Sequence, residues 1–190
     1  LQNNRFKAKI GLNLLFNVHN GTKAHIYPDI EVKYSMFNDI FIPYVGLRGG
    51  MNQTTFKSLT GENEFLLSNV RLQNENTAID FYGGIKGTLS KRVSFNVGAS
   101  FANVKNKAFF VTDTTFSLGN KFGVIYDTMN VAKIEGSISY QMSEKLKVDA
   151  IGAFNSYSVL NNTYAWNMPQ VQVILRGSYN LFDKFLFNLD

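Results

Sequence analysis

Apolar and polar side chains alternate strictly along almost every segment of this chain. In residues 5–18 one set of alternate positions is apolar: Phe6, Ala8, Ile10, Leu12, Leu14, Phe16 and Val18. Because successive side chains of a β-strand point to opposite faces, this pattern predicts a strand with one apolar and one polar face. The remaining predicted strands are 25–36, 78–89, 93–103, 130–142 and 171–181, with less regular ones at 40–50 and 146–159 and a short ninth beginning at Phe185.

The connections between these strands alternate between short and long. Short links fall at 37–39, 90–92, 143–145 and 182–184, and long links fall near 19–24, 51–77, 105–121 and 160–168. Directly opposed residues of an antiparallel pair share a face, so the apolar positions on either side of each short link predict a loop of three residues. The predicted closing pairs are Leu89 with Val93, Met142 with Leu146, and Leu181 with Phe185.

The class of protein follows from the length of the apolar segments. Hydrophobic residues make up 45% of the chain, but no run approaches the roughly 18 to 20 apolar residues that a membrane-spanning helix requires, which excludes a helical membrane protein. Strands of 11 to 14 residues exceed the roughly 5 or 6 typical of soluble sheets and reach the roughly 9 to 11 that cross a bilayer. The sequence therefore predicts an all-β, antiparallel, up-and-down transmembrane β-barrel. A soluble barrel with an apolar interior is the alternative.

Short turns at one end and long loops at the other are typical of outer-membrane barrels, whose short turns face the periplasm. The expected location is the outer membrane, with membrane lipid against the apolar face and the polar face lining the lumen. The predicted lumen-facing charges are Arg5, Lys7, Lys9, Asp29, Glu31, Lys33, Asp80, Lys86, Lys133, Glu135, Lys147, Asp149 and Arg176. Arg176 would oppose Asp190 across the last hairpin as an inward ion pair.

Aromatic residues near the short links predict a ring of side chains at the periplasmic membrane interface, where amphipathic rings collect. The predicted members are Tyr34, Phe41, Phe95, Tyr140, Tyr179, Phe182 and Phe185. At the opposite end, apolar residues lie in loops where solvent is expected, which predicts a surface for extracellular contact with a ligand or partner protein. The predicted members are Phe56, Phe65, Leu66, Leu67 and Trp166.

The tight turns Leu-Ser-Lys-Arg-Val and Met-Ser-Glu-Lys-Leu and the strand Tyr-Gly-Gly-Ile-Lys-Gly-Thr-Leu resemble barrel hairpins of TonB-dependent receptors of Gram-negative type. The resemblance covers nearly the whole chain and implies a 22-stranded receptor barrel plugged by an amino-terminal domain. Residues 1–190 are expected to form a single stretch of barrel wall, in which no plug, soluble domain or energy-coupling box is visible. The resemblance implies nutrient uptake. A structural or assembly component of an outer-membrane complex and a complete eight-stranded barrel are the alternatives.

Other function classes find little support. The net charge of +5 is spread along the chain, whereas a nucleic-acid partner would require a basic stripe. The chain has no cysteine, and His19 and His25 have no further metal-binding residue nearby in sequence, so no cofactor or metal is predicted. Asp29 and Glu31 share a face with Lys33, which favours a row of charges over a catalytic carboxylate pair, and no enzyme is predicted. The expected partners are lipid and other outer-membrane or periplasmic proteins.

Overall fold

A computed structural model describes residues 5–17, 23–143, 145–162, 164–181 and 185–189. Its strands form one antiparallel sheet in which each strand pairs with its neighbours in sequence. They are β1 (Phe6–Asn17), β2 (Lys23–Tyr34), β3 (Ile42–Asn52), β4 (Glu75–Ser90), β5 (Val93–Asp113), β6 (Lys121–Gln141), β7 (Leu146–Val159), β8 (Val171–Leu181) and β9 (Phe185–Leu189). A short helix, α1 (Phe56–Glu62), lies between β3 and β4. The predicted up-and-down β architecture is confirmed, and the described strands β1 and β9 are not paired with each other.

The longest strands differ from the prediction. Residues 105–121 were expected to be a loop, but β5 and β6 each run for 21 residues and remain paired from Val93 opposite Tyr140 to Asp113 opposite Lys121. Only residues 114–120 connect them. The register shifts between Val104 and Lys107, and Asn106 adopts a φ of 57°. This bulge inserts an extra residue and interrupts the alternation that would have extended the predicted strand.

Two of the three predicted closing pairs are confirmed. Leu181 lies opposite Phe185, and the Met142 N–H donates to the Leu146 carbonyl at 3.0 Å. The third pair is wrong, because Ser90 lies opposite Val93 after a register shift and the link shortens to residues 91–92.

The first short link is also longer than predicted. Met36 bridges to Phe41, so the link has four residues, 37–40. Its residues Phe37, Asn38 and Asp39 all adopt positive φ, between 51° and 66°. The parity argument that predicted three residues fails at this link, where residues 40–50 are apolar on both faces.

The apolar face of the sheet is largely exposed. Ile10 is 79% exposed, Val173 73% and Ile134 61%. The buried apolar side chains include several at the end of the sheet where the long loops lie: Tyr27, Leu59, Leu66, Val104, Phe109 and Met129. Among the described helices, none is long and apolar enough to span a membrane.

Glycines in β3–β5 let tyrosine rings lie close against the sheet. A Cβ on Gly46 would lie 2.4 Å from the Tyr82 ring. A Cβ on Gly84 would lie 2.4 Å from the Val97 carbonyl oxygen and 2.7 Å from the Tyr44 hydroxyl, and one on Gly98 would also meet that hydroxyl at 2.7 Å. By contrast, Gly136 on β6 has no heavy atom within 4 Å of its Cβ position.

We expect Gly84→Ala to destabilise the sheet by about 1 to 3 kcal/mol, because the added methyl group meets fixed backbone atoms. Gly136→Ala is the matched control and should leave stability nearly unchanged, since its Cβ enters open space. The measurement is the urea midpoint of each variant refolded into vesicles. Equal midpoints for the two variants would contradict the close packing of Tyr44 against β4.

Candidate functional site

The polar face carries a series of ion pairs held in place by the strand register. The pairs are Lys9–Asp29 at 2.5 Å, Lys33–Glu31 at 2.6 Å, Arg48–Asp80 at 2.7 Å, Lys133–Glu135 at 2.5 Å, Lys147–Asp149 at 3.0 Å and Lys107–Glu75 at 2.8 Å. Most join residues on one strand or on neighbouring strands, where side chains of the same face come into reach. Charges of both signs are therefore mutually compensated over much of this face.

The register places the predicted charges of the strands on this one face, and Arg5 lies just before β1. Their position in a lumen remains a prediction. Arg176 lies opposite Asp149, and Asp190 falls outside the described residues. The sequence analysis missed Arg48, Glu75 and Lys107. Arg48 lies in the strand with two apolar faces, and the other two lie in segments assigned to loops.

Two tyrosines connect the charges of β2–β4. The Arg48 guanidinium lies 4.8 Å from the centre of the Tyr82 ring, and the Lys86 ammonium lies 5.6 Å from that of Tyr44. The Tyr44 hydroxyl donates to the Asn96 side chain at 2.8 Å. Each ring is thus held between a glycine backbone and a cation, an arrangement favoured by the negative charge of the ring face.

The described aromatic residues that were predicted to surround the barrel at the membrane interface lie on the apolar face, at the end of the sheet with the short links. Tyr34, Phe41, Tyr140 and Tyr179 are each between 40% and 44% exposed. The Phe41 and Phe95 rings meet edge to face with centroids 5.9 Å apart. Phe182 and the side chain of Phe185 fall outside the described part of the chain. Contact of these rings with the membrane interface remains a prediction.

The long loop between β3 and β4 is folded and anchored. Thr55 caps α1 through a reciprocal pair of hydrogen bonds with Ser58, and Leu59 is buried. Leu66 then forms a parallel bridge with Phe122 of β6. This bridge is made by two backbone hydrogen bonds, from the Phe122 N–H to the Phe65 carbonyl at 2.8 Å and from the Leu67 N–H to the Phe122 carbonyl at 2.9 Å.

The loop between β7 and β8 is held by Asp127 of β6. The Asp127 carboxylate accepts hydrogen bonds from the backbone N–H groups of Asn161 and Asn162 at 3.0 and 2.9 Å and from both of their side-chain amides. Burial of Asp127 would raise the pKa of its carboxyl, but the hydrogen bonds from Asn161, Thr128 and Asn162 outweigh burial and lower that pKa. The loop is therefore fastened at neutral pH by an ionised carboxylate.

The same loop covers the polar face. Phe109 lies opposite Ile125, which shares a face of β6 with Asp127, Lys133 and Glu135. Phe109 is 1% exposed, and the Trp166 ring packs on it edge to face with centroids 6.4 Å apart. The loop thus folds across the polar face at the end of the sheet that bears the long loops.

The residues predicted for extracellular contact separate into two groups. Phe65 is 65% exposed, Phe56 41% and Trp166 38%. Leu66, which bridges to Phe122, is 5% exposed, and Leu67 is half-buried, so their side chains are less accessible than the other three; the contact role of all five remains a prediction. The sequence analysis missed Phe116 and Leu118, which are highly exposed at the tip of the β5–β6 hairpin. They were assigned to a loop without being recognised as its most exposed apolar positions.

Of the residues considered for chemistry, those that the structure describes each have a partner of another kind. Asp29 and Glu31 are each ion-paired with a lysine. The His25 ring stacks on Tyr27, and His19 falls outside the described residues. Within the described ranges, no group of three or more His, Cys, Asp or Glu residues is arranged to hold a metal ion.

Comparison with known proteins identifies the fold. The copper transporter OprC matches with a TM-score of 0.59 and 14% identity over 94% of this chain and 30% of OprC. The pyoverdine outer-membrane receptor FpvA from Pseudomonas aeruginosa PAO1, bound to pyoverdine, matches with a TM-score of 0.61 and 13% identity over 95% of this chain and 27% of the receptor. FpvAI in its complex with pyocin S2 matches with a TM-score of 0.60 and 16% identity over 97% of this chain and 26% of that protein.

The chain thus spans less than a third of the length of these proteins. No protein-family model matches it, and no curated protein sequence matches it significantly. At such low identity the likeness establishes the fold. This chain has the fold of a stretch of outer-membrane β-barrel wall, and its resemblance to TonB-dependent receptors is confirmed at that level.

We expect Asp127→Ala to release the loop of residues 160–168, because four amide donors lose a charged acceptor worth about 1.5 to 3 kcal/mol per bond. Limited proteolysis of the protein in detergent should then cleave this loop at least ten times faster. Asp113→Ala is the control, since Asp113 accepts from Phe116 and Ser117 in a different turn. Unchanged cleavage of residues 160–168 in Asp127→Ala would contradict the anchoring role.

Proposed function

We propose that this chain is part of the barrel wall of an outer-membrane receptor or transporter for nutrient uptake. The apolar face contacts lipid, the polar face lines the lumen, and the long loops lie outside the cell. The observation that carries the proposal is the exposure of the apolar face across the whole sheet, combined with ion pairs across the polar face. In water, so large a contiguous apolar surface would drive association, whereas acyl chains cover it without cost.

The dimensions of the sheet support this orientation. An apolar band about 25 Å tall is crossed by roughly 10 tilted residues, so β6 crosses from Tyr140 to about Val131. The rest of β6, from Asn130 to Lys121, then extends beyond the bilayer together with its partner β5. About ten residues of strand correspond to a projection of about 33 Å along the strand direction.

The contact surface, defined as Phe56, Phe65, Phe116, Leu118 and Trp166, lies at this outer end. Its residues are carried by three anchored segments: the loop that bridges to Phe122, the β5–β6 tip and the loop held by Asp127. Exposed aromatic and aliphatic side chains on rigid supports are suited to capturing a partner or ligand. The solved FpvA structures contain pyoverdine in one case and pyocin S2 in another, so barrels of this fold bind both small molecules and proteins.

A structural or assembly role is the second candidate. It is favoured by Phe116 and Leu118, 77% and 86% exposed at the tip of a hairpin that extends past the rest of the sheet. Apolar side chains at such a tip suit contact with another protein at the cell surface.

If the apolar face contacts lipid, arginine should destabilise the protein much more on the apolar face of β6 than on its polar face. We expect Ile134→Arg to destabilise the reconstituted barrel by about 2 to 4 kcal/mol, because the charge enters the middle of the apolar band. Ser137→Arg, three residues away on the polar face, should change stability by less than about 1 kcal/mol. The measurement is the urea midpoint of the intact protein in vesicles. A larger loss of stability for Ser137→Arg than for Ile134→Arg would indicate that the polar face contacts lipid and would overturn the proposal.

The orientation is tested by labelling single cysteines, since this chain contains no cysteine. We expect Leu118→Cys at the hairpin tip to react with a membrane-impermeant maleimide on intact cells. Lys91→Cys, exposed in the link between β4 and β5, should react only after the outer membrane is permeabilised. Labelling of Lys91→Cys on intact cells would show that the short links face outward.

A further inference from the structure

The outer half of β6 extends past the end of its neighbour β7. β7 pairs with β6 from Gln141 only as far as Met129, whereas β5 remains paired with β6 up to Lys121. Residues 121–128 of β6 therefore have β5 on one side and no continuation of β7 on the other. We call this second side, along residues 122–128, the open edge.

The open edge is bounded at each end by a backbone contact with a loop. At the outer end, the Phe122 N–H donates to the Phe65 carbonyl at 2.8 Å, and the Phe122 carbonyl accepts from the Leu67 N–H at 2.9 Å. At the inner end, the Thr128 carbonyl accepts from the Leu160 N–H at 3.0 Å. Both contacts use backbone groups that point away from β5.

Val124 and Tyr126 lie between these two contacts. The backbone groups of a strand point to its two sides in alternation, and the pairing of β6 with β5 runs without a shift from Asp127 to Lys121. The N–H and C=O groups of Val124 and Tyr126 therefore point to the open edge, as those of Phe122 do. Among the described residues, no strand or loop forms a backbone hydrogen bond with them on that side.

The sequence of the open edge favours pairing with another strand. Residues 122–126 read Phe-Gly-Val-Ile-Tyr, which is uncharged, contains no proline and is rich in β-branched and aromatic residues. Exposed sheet edges are usually protected from pairing by lysine, proline or a bulge. Here charges occur only at the two flanking positions, Lys121 and Asp127. Residues 122–126 therefore carry none of these protections.

The chain already pairs with this edge at one point. Leu66 forms its parallel bridge with Phe122 before the β3–β4 loop turns at residues 68–69. From Phe122 to Thr128 the strand is roughly 20 Å long, which leaves room for an extended segment of about four residues between the two loop contacts. The open edge thus has the length and the backbone groups to take a short added strand.

We propose that the open edge binds an extended segment of a protein partner by β-strand addition. The backbone groups of Val124 and Tyr126 hold the segment, and neighbouring side chains set its preference. These are Leu160, which is 74% exposed, and the half-buried Leu67, so the segment is apolar or uncharged and β-forming. The inference goes beyond the proposed function, because it depends on strand pairing and not on which face contacts lipid.

The test tethers a probe peptide beside the open edge of the intact protein in detergent. Leu160→Cys supplies the thiol, since this chain contains no cysteine. The probe is Thr-Val-Thr-Val-Thr with a flexible linker that ends in cysteine, and the tethered fraction is measured at a fixed ratio of reduced to oxidised mercaptoethanol. We expect the disulfide to form about tenfold more favourably than with the same peptide N-methylated at every residue, which lacks N–H donors.

Variants of β6 then test the edge itself. Val124→Pro removes one donor without breaking a bond to β5, and we expect it to lower tethering of the unmethylated probe about tenfold. Val124→Thr is the matched control, which keeps the N–H and the side-chain shape and should stay within about twofold. In the free protein, the amides of Val124 and Tyr126 should exchange hydrogen faster than those of Gly123 and Ile125, which point to β5.

Three results would overturn the inference. Equal tethering of the two peptides, or unchanged tethering in Val124→Pro, excludes strand addition at this edge. Slow exchange at Val124 and Tyr126 in the free monomer shows that another part of the chain covers the edge. Slow exchange that is lost when a dimer dissociates assigns the edge to a second copy of this chain instead of a partner protein.

Discussion

The pairing of backbone amides is the constraint on which the rest of this structure depends. Lipid offers no hydrogen bonds, and each unpaired N–H or C=O group within it costs several kcal/mol. Neighbouring strands of the chain therefore pair in unbroken sequence order from β1 to β9. The same constraint applies to the outer edges of β1 and β9, which require pairing with strands if the wall is to close. On the proposed function, the alternation of the side chains follows, because a paired strand would have one face for lipid and one for the interior.

On the proposed function, this division explains how a chain with so many charges would cross an apolar medium. Charges that share the polar face reach one another across adjacent strands, as Arg48 reaches Asp80. Glycines on β3–β5 leave room for tyrosine rings to lie close against the sheet, so that Arg48 and Lys86 each gain an aromatic contact. Gly136 on the apolar face has open space above it, which acyl chains would fill on the proposed function. Glycine thus allows tyrosine rings to pack closely on the polar face and leaves the apolar face unobstructed.

The sequence predicted the features that follow from regular alternation of apolar and polar residues. It missed the features that arise where this alternation is interrupted. Strand positions, strand order and two closing pairs follow from side-chain parity, which a regular strand preserves. The bulge at Asn106 breaks parity, so the outer half of the β5–β6 hairpin was assigned to a loop. Burial of Leu66 and the role of Asp127 depend on loops that fold back on distant strands. Such contacts have no periodic signal in the sequence.

The two ends of the polar face differ in a way that suggests an order of events during uptake. Trp166 and its loop cover Phe109 at the outer end, so on the proposed function a solute meets folded loops before it meets the charged wall. On β5, Val104 lies about eight residues from Asn96, which pairs with Lys86. This separation is roughly 26 Å along the strand. On the proposed function, apolar recognition at the loops would therefore be separated along the lumen from the ion-paired wall.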